Sequence, residues 1–436
     1  MLNAKNKTAL LATTFACGLL SATAASADLG DAINGLSASE QALFDEGKAL
    51  FEKDFTPNEG LGPLYNETSC VACHGGGGVG GWDPDGTTFN VTHFGIREPG
   101  ADRFYPAHEL GGPVQQKRTI AGHPERPDCN VQADTPPEFL QPFVPGMIIS
   151  KRFTPGVFGF GLIDAVSDKE ILKYVGKKPW KAPGVIGAAN YGREMQSVAR
   201  ALTFTLDQGP RTMPVGPSRI GRFGWKSQTA TLMQFTQEPF GIELGVTTPF
   251  FQRENTPGLD PLPAECAPTQ SPDDIDGQQS LRLFYFQALV APPERGDVGF
   301  REVIGEVVFA GIGCTDCHRR KMRTAKKYYA PAPNGDQVRI PALENKVFYP
   351  YSDLLIHDMG AENDDRRQMG AASGRFWRTT PLWGIGQKTN FWHDGSITTL
   401  EGTIDAHAGE GSWSRDAYNR LPGFLQNWVI RFMESL

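Results

Sequence analysis

Two five-residue motifs constrain this 436-residue chain more than any other feature: Cys70-Val71-Ala72-Cys73-His74 and Cys314-Thr315-Asp316-Cys317-His318. On a helical turn, positions i and i+3 bring both sulfurs to one face, where they meet the two vinyl groups of a porphyrin. The histidine that follows reaches the iron. The same cysteines also allow a four-thiolate zinc site or a thioredoxin-like redox pair. Histidine is 8 of 436 residues, so chance would place one directly after both pairs with a probability of roughly 3 in 10,000. The motifs therefore predict an exported redox protein with two covalently bound c-type haems, one on Cys70, Cys73 and His74, the other on Cys314, Cys317 and His318.

The N-terminus agrees with export. Lys5 and Lys7, the apolar run from Ala9 to Leu20 and Ala25-Ser26-Ala27 read as a signal peptide over residues 1–27, which predicts a periplasmic protein. Thr14-Phe15-Ala16 is a poor lipobox for Cys17, so no lipid anchor is expected. No stretch approaches the ~18 apolar residues of a membrane helix, so the protein is not expected to span a bilayer. The signal holds two lysines and no acids, so the net charge of −7 becomes −7 − 2 = −9 for the mature chain. Such a chain is a poor partner for nucleic acid and a good one for a basic electron donor. Once Cys17 and the two motifs are set aside, Cys129 and Cys266 remain, and an oxidising compartment favours a disulfide between them.

Fifty glycines and thirty-three prolines make the chain loop-rich, although its 39% hydrophobic content is that of a globular protein. Ser37-Ala38-Ser39-Glu40 forms a capping box before Leu43-Phe44 and Leu50-Phe51, which predicts an amphipathic helix leading toward the first motif. Helical sequence is also read near 167 to 176, 190 to 201 and 279 to 290. The glycine run Gly75 to Gly81 suits either close approach to the porphyrin edge or a plain loop. Ala291-Pro292-Pro293-Glu294-Arg295 punctuates the chain and places a boundary between an N-terminal haem domain, 28–295, and a C-terminal one, 296–436. Aligning Trp225 with His393 makes Thr231-Leu232 and Thr399-Leu400 coincide, as a duplicated unit would require.

Several segments together resemble the di-haem oxidoreductase (putative peroxidase) family, related to the bacterial di-haem cytochrome c peroxidase and MauG superfamily. They are Gly60-Leu61-Gly62-Pro63-Leu64-Tyr65-Asn66, Arg222-Phe223-Gly224-Trp225-Lys226, Tyr351 to Gly360, Trp377 to Gly384 and His393-Asp394-Gly395. The resemblance implies a mainly α fold: two cytochrome c-like domains with long loop insertions and few short strands. It implies that the C-terminal haem relays electrons with two strong axial ligands, while the N-terminal haem keeps an open position. His407 stands where the superfamily places the sixth ligand of the second haem, with Met359 the chief rival and Met369 a lesser one. Trp225 resembles the tryptophan that carries electrons between the haems, against the simpler reading of a buried aromatic. Glu243 resembles the distal acid that moves the proton of bound peroxide, against the simpler reading of a surface glutamate. The distal glutamine position falls on Phe235, with Gln234 beside it. His93 is a candidate resting-state cap of the first haem, against a surface or hydrogen-bonding role shared with His108 and His123, and His393 a candidate anchor for a propionate or for the turn between domains. Calcium at the domain interface is a feature of the superfamily, although no acidic cluster here identifies it.

The function expected from these residues is a periplasmic, peroxidase-like di-haem oxidoreductase. It would reduce hydrogen peroxide, or use it to oxidise a substrate, at the N-terminal haem, with a small cytochrome or cupredoxin as electron donor or a protein as substrate. The alternative is a non-catalytic di-haem electron-transfer protein.

Overall fold

The computed structural model describes residues 29–74, 90–97, 104–105, 107, 110, 112–176, 181–193, 201–206, 209–214, 218–252, 256, 262–266, 273–332 and 336–436. The expected signal peptide, the run Gly75 to Gly81 and His108 lie outside these residues. Among the described residues no helix is long and apolar enough to cross a membrane.

Two helix pairs are built on the same plan, each beside one of the cysteine motifs. Helix Ala38–Glu52 starts at the capping box that the sequence shows: Glu40 N donates to Ser37 Oγ (3.2 Å) and Ser37 N donates to Glu40 Oε2 (2.9 Å). It crosses helix Gly277–Leu289 at Gly47, where a Cβ would stand 2.0 Å from the Arg282 carbonyl oxygen. Helix Phe300–Gly311 crosses helix Gly423–Glu434 at Gly305, where a Cβ would stand 1.9 Å from the Trp428 carbonyl oxygen. In both pairs the absence of a side chain lets backbones touch. One turn beyond each glycine a phenylalanine bridges the partner helix and the motif histidine. Phe51 lies 5.0 Å from Phe286 and 5.7 Å from His74, and Phe309 lies 5.2 Å from Phe432 and 6.1 Å from His318, between ring centroids.

The repeat extends to the segments aligned in sequence. Bridges Phe223–Thr229 and Phe391–Ile397 close two equivalent turns. Left-handed backbone recurs at Gly224 (φ 77°) and Trp392 (φ 75°), and again at Ser227 (φ 49°) and Gly395 (φ 73°). Thr231 and Thr399 then cap helices Leu232–Pro239 and Leu400–Asp405, accepting from Gln234 N (3.4 Å) and Gly402 N (3.0 Å).

The expectation of a mainly α fold is not met. Helix accounts for 34% of the structure and strand for 16%, and two cytochrome c-like domains are not what it displays. The prolines and glycines that break helices leave backbone donors and acceptors that need partners, and short paired strands supply them. Asn90–Arg97 pairs antiparallel with Met147–Phe153 and with Phe104–Tyr105 in a three-stranded sheet. Two-stranded ladders elsewhere include Ile356–Asp358 with Phe376–Arg378. The helix read near 167 to 176 is present as Asp168–Leu172. The one read near 190 to 201 is corrected, since Tyr191–Arg193 is a strand paired with Ser218–Ile220.

The largest core cluster joins Phe51, Phe160, Leu232 and Phe284 to Tyr328, Ile340, Leu355 and Trp383, from both sides of residue 295. A second cluster, with Phe309, Leu382, Leu400 and Ile430, lies wholly after it. Cys129 and Cys266 form a disulfide across 137 residues of sequence, among Leu64, Ile120 and Val131.

Candidate functional site

At the second motif the backbone turns so that Cys317 N (3.4 Å) and His318 N (2.9 Å) both donate to the Cys314 carbonyl. His318 Nδ1 contacts the Tyr351 carbonyl at 2.9 Å, and His407 Nδ1 contacts the Thr403 carbonyl at 2.7 Å. In each ring this leaves Nε2 for a metal. The ring centroids stand 6.4 Å apart. Two metal–nitrogen bonds of about 2 Å each, added to the distances from nitrogen to ring centre, nearly fill that gap. Burial lowers both histidines, His318 to about 4 with the charge of His407 as the next cause, so both rings are neutral at physiological pH. Trp392 packs edge-on to His407 at 5.5 Å.

An apolar cavity contains both rings and extends past Trp225 to Phe153 and Pro155. Trp225 stands in its wall between distant segments. Its Nε1 donates to the Phe153 carbonyl (2.9 Å), and its own carbonyl accepts from Arg378 N (2.8 Å). Phe235 stacks on Phe223 at 5.4 Å and faces the same cavity.

The first motif repeats the turn of the second, with Cys73 N (3.1 Å) and His74 N (2.9 Å) donating to the Cys70 carbonyl. His74 Nδ1 contacts the Pro155 carbonyl at 3.0 Å, which brings this motif to the other end of the cavity wall. Glu243 sits in the π-helical turn Phe240–Leu244, a conformation frequent at functional sites. The segment before the first motif clamps it. Asn66 Nδ2 donates to Glu243 Oε2 (2.7 Å), Asn66 N to the Glu243 carbonyl (2.6 Å) and Gly62 N to the Leu244 carbonyl (2.9 Å). Gly245 (φ 69°) ends the turn, where a Cβ would meet the Leu64 carbonyl oxygen at 2.7 Å. Burial raises the Glu243 carboxyl to about 7, against the lowering pull of Asn66, and its charge in turn raises the Cys73 thiol.

The residues present suit covalent haem better than thiol chemistry. The four motif cysteines are outside any disulfide, and burial pushes Cys70, Cys73 and Cys314 up to about 12. Thiols this hard to ionise are poor redox nucleophiles. Among the described residues no group of three or more His, Cys, Asp and Glu is placed to hold a metal ion.

Other candidates fall in less expected places. Met359 lines the cavity, but the ring facing His318 belongs to His407. Met369 lies in a turn bridged to Ala372, with its carbonyl accepting from Asn190. His93 pairs through its main chain with Ser150 and Val114, and its ring, kept neutral by burial, lies near Arg367 and Arg152. His123 Nδ1 accepts from Glu125 N at 3.2 Å. His393 stacks on Trp377 at 3.8 Å, and its carbonyl accepts from Phe153 N at 2.8 Å.

One cluster escaped the sequence reading. His357 is 3% exposed and lies between Asp353 Oδ2 (3.1 Å) and Glu410 Oε2 (2.8 Å), with Cys317 Sγ 3.6 Å from its Nδ1. Glu410 also accepts from Ile186 N, Gly187 N and Asp358 N. Three residues after His407, it ties the His407 loop to two other segments, 186–187 and 357–358.

A profile of the family described as di-haem oxidoreductase, putative peroxidase matches residues 145–436. The match takes in Trp225, Glu243, the second motif and His407, and begins after the first motif. No curated protein sequence matches the chain. Among solved structures, hydrazine synthase of Kuenenia stuttgartiensis aligns at a TM-score of 0.37 and 12% identity, over 99% of this chain and 100% of that one. A variant of the diheme peroxidase BthA from Burkholderia thailandensis aligns at 0.37 and 13% identity, over 91% of this chain and 85% of that one. A MauG-like protein associated with microbial copper homeostasis aligns at 0.28 and 15% identity, over 64% and 88%. Likeness as slight as this carries no argument about the chain.

Proposed function

The chain belongs to the di-haem oxidoreductase, putative peroxidase family, and from that membership we propose that it is an exported, peroxidase-like enzyme whose two c-type haems have unequal roles. Cys70, Cys73 and His74 hold one haem, and Cys314, Cys317, His318 and His407 hold the other. When bound, the irons supply electron relay at the second site and peroxide reduction at the first. The first haem belongs to a part spanning residues 28–295 and the second to a part spanning 296–436, with the periplasm as the compartment.

This chain's own side chains then have definite tasks. His407 saturates the second site, so that electrons pass there with little rearrangement. Trp225, in the wall of the shared cavity, offers an aromatic path between the two sites. Glu243 takes the proton of bound hydrogen peroxide and returns it to the departing oxygen, within the overall change H2O2 + 2 e− + 2 H+ → 2 H2O. A carboxyl poised near neutrality can act in both directions, and Asn66 fixes its orientation. The electron donor fits a small cytochrome or cupredoxin with a basic docking face, since the chain is acidic.

The observation that carries the reading is the facing pair His318 and His407, in a cavity that extends past Trp225 to Pro155, the partner of His74. Stopped-flow mixing of the half-reduced protein with hydrogen peroxide tests it. The expected result is rapid oxidation, blocked by cyanide bound at one haem. Two haems that stay inert to both reagents would leave an electron-transfer module with no peroxidase role.

A further inference from the structure

We propose that Arg378 and Lys388 form a two-cation site for a pair of carboxylates, and that the propionates of the haem held by Cys314 and Cys317 occupy it. This deepens the reading above and rests on it.

Both side chains line the cavity that contains His318 and His407. Arg378 is fixed at its base, with its N donating to the Trp225 carbonyl (2.8 Å) and its Nε to the Gly224 carbonyl (2.9 Å). That leaves the two Nη groups of the guanidinium for a ligand. Lys388 turns inward between exposed Gln387 and Thr389. Among the described residues neither has a carboxylate partner, whereas neighbouring cations do. Arg152 and Lys226 share Asp365, Arg375 pairs with Asp358, and Arg415 pairs with Asp416.

Burial lowers Arg378 to about 10, and burial followed by the charge of Arg378 lowers Lys388 to about 8. Lys388 therefore senses the charge of Arg378, and both side chains are partly buried on the cavity wall. Such a pair is costly unless an anion accompanies it. An apolar cavity with two unmatched cations on its wall calls for a ligand that is apolar in its body and carries two carboxylates. A porphyrin tethered at Cys314 and Cys317 has that chemistry. A free dicarboxylate substrate is the other source of the same groups.

The test is a spectroelectrochemical titration of the holoprotein and of the R378Q, K388Q, R378K and K388R variants. Wild type is also titrated with succinate. Loss of a positive charge beside the propionates favours the oxidised haem. Both glutamine variants should therefore shift the low-spin haem to lower potential, while both charge-preserving variants stay near wild type and the low-spin spectrum persists throughout. K388Q, at a partly exposed position, remains informative if R378Q loads poorly. An unmoved potential with the low-spin spectrum intact would overturn this proposal alone. Saturable succinate binding that R378Q or K388Q abolishes would overturn the propionate assignment in favour of a free dicarboxylate. A wild-type protein with no low-spin haem would instead overturn the functional reading, and this site with it.

Discussion

Glu243 is held by Asn66 through both its side chain and its main chain, and burial lifts its carboxyl to about 7. Proton uptake needs the ionised form, so the rate of reaction with peroxide should rise with pH through about 7 and then level off. Glu243→Gln should remove that step and lower peroxide turnover by about 10²–10⁴-fold, measured by stopped flow, with both haem spectra unchanged. An unaltered rate would return Glu243 to a structural role. Glu238 gives a separate test. Its carboxyl, held by Gln234 (2.8 Å) and Thr229 (3.4 Å), is also raised to about 7 by burial. A folded-state pKa above the unfolded value means that the folded protein binds more protons, so stability falls as pH rises from about 4.5 to about 7. Glu238→Gln should therefore stabilise the protein above pH 7, by at most about 3 kcal/mol, and much less near pH 4.5. Denaturant melts at the two pH values check this. Trp225, Glu243 and His407 could be proposed from the sequence because short motifs surround them. Glu410 and His357 were not, because their partners lie up to 224 residues away.

The two glycine crossings set the limits at the scale of elements. A Cβ on Gly305 would stand 1.9 Å from the Trp428 carbonyl oxygen, and one on Gly47 would stand 2.0 Å from that of Arg282. Either Gly→Ala change must push apart helices that position a motif histidine through Phe309 or Phe51. Each should cost roughly 1–3 kcal/mol in thermal or denaturant unfolding, and unchanged stability would refute the close crossing. The helices themselves were readable, since Ser37-x-x-Glu40 and the apolar spacing after it mark one of them in full. The strands were harder to foresee. Many are two- or three-residue ladders whose pairing residues are remote in sequence, such as Leu64 with Thr119 and Ile356 with Arg378. Short pairings of this kind leave no period to read, which is why a mainly α chain was expected and a mixed one was found. Trp392 shows what duplication adds. It takes the left-handed backbone that Gly224 takes in the first copy, a strained choice for a bulky residue, and from there it packs against His407.

At the scale of the whole molecule, folding brings together what the sequence keeps apart. The motif histidines are 244 positions apart in the chain, yet one contacts the Pro155 carbonyl and the other faces His407 along a single cavity wall. The sequence singled out the two leftover cysteines that form the disulfide. It did not reveal that core residues from both sides of position 295 share one cluster, because packing across that point depends on Tyr328, Leu355 and Trp383 returning to the N-terminal part. The central claim is that the two haems are unequal, with one saturated by His318 and His407 and the other open. Electron paramagnetic resonance of the resting, fully oxidised protein and of its His407→Ala variant tests this most directly. The account predicts one low-spin and one high-spin haem in the wild type, and loss of the low-spin signal alone in the variant. Two low-spin haems in the wild type, both untouched by the substitution, would contradict it.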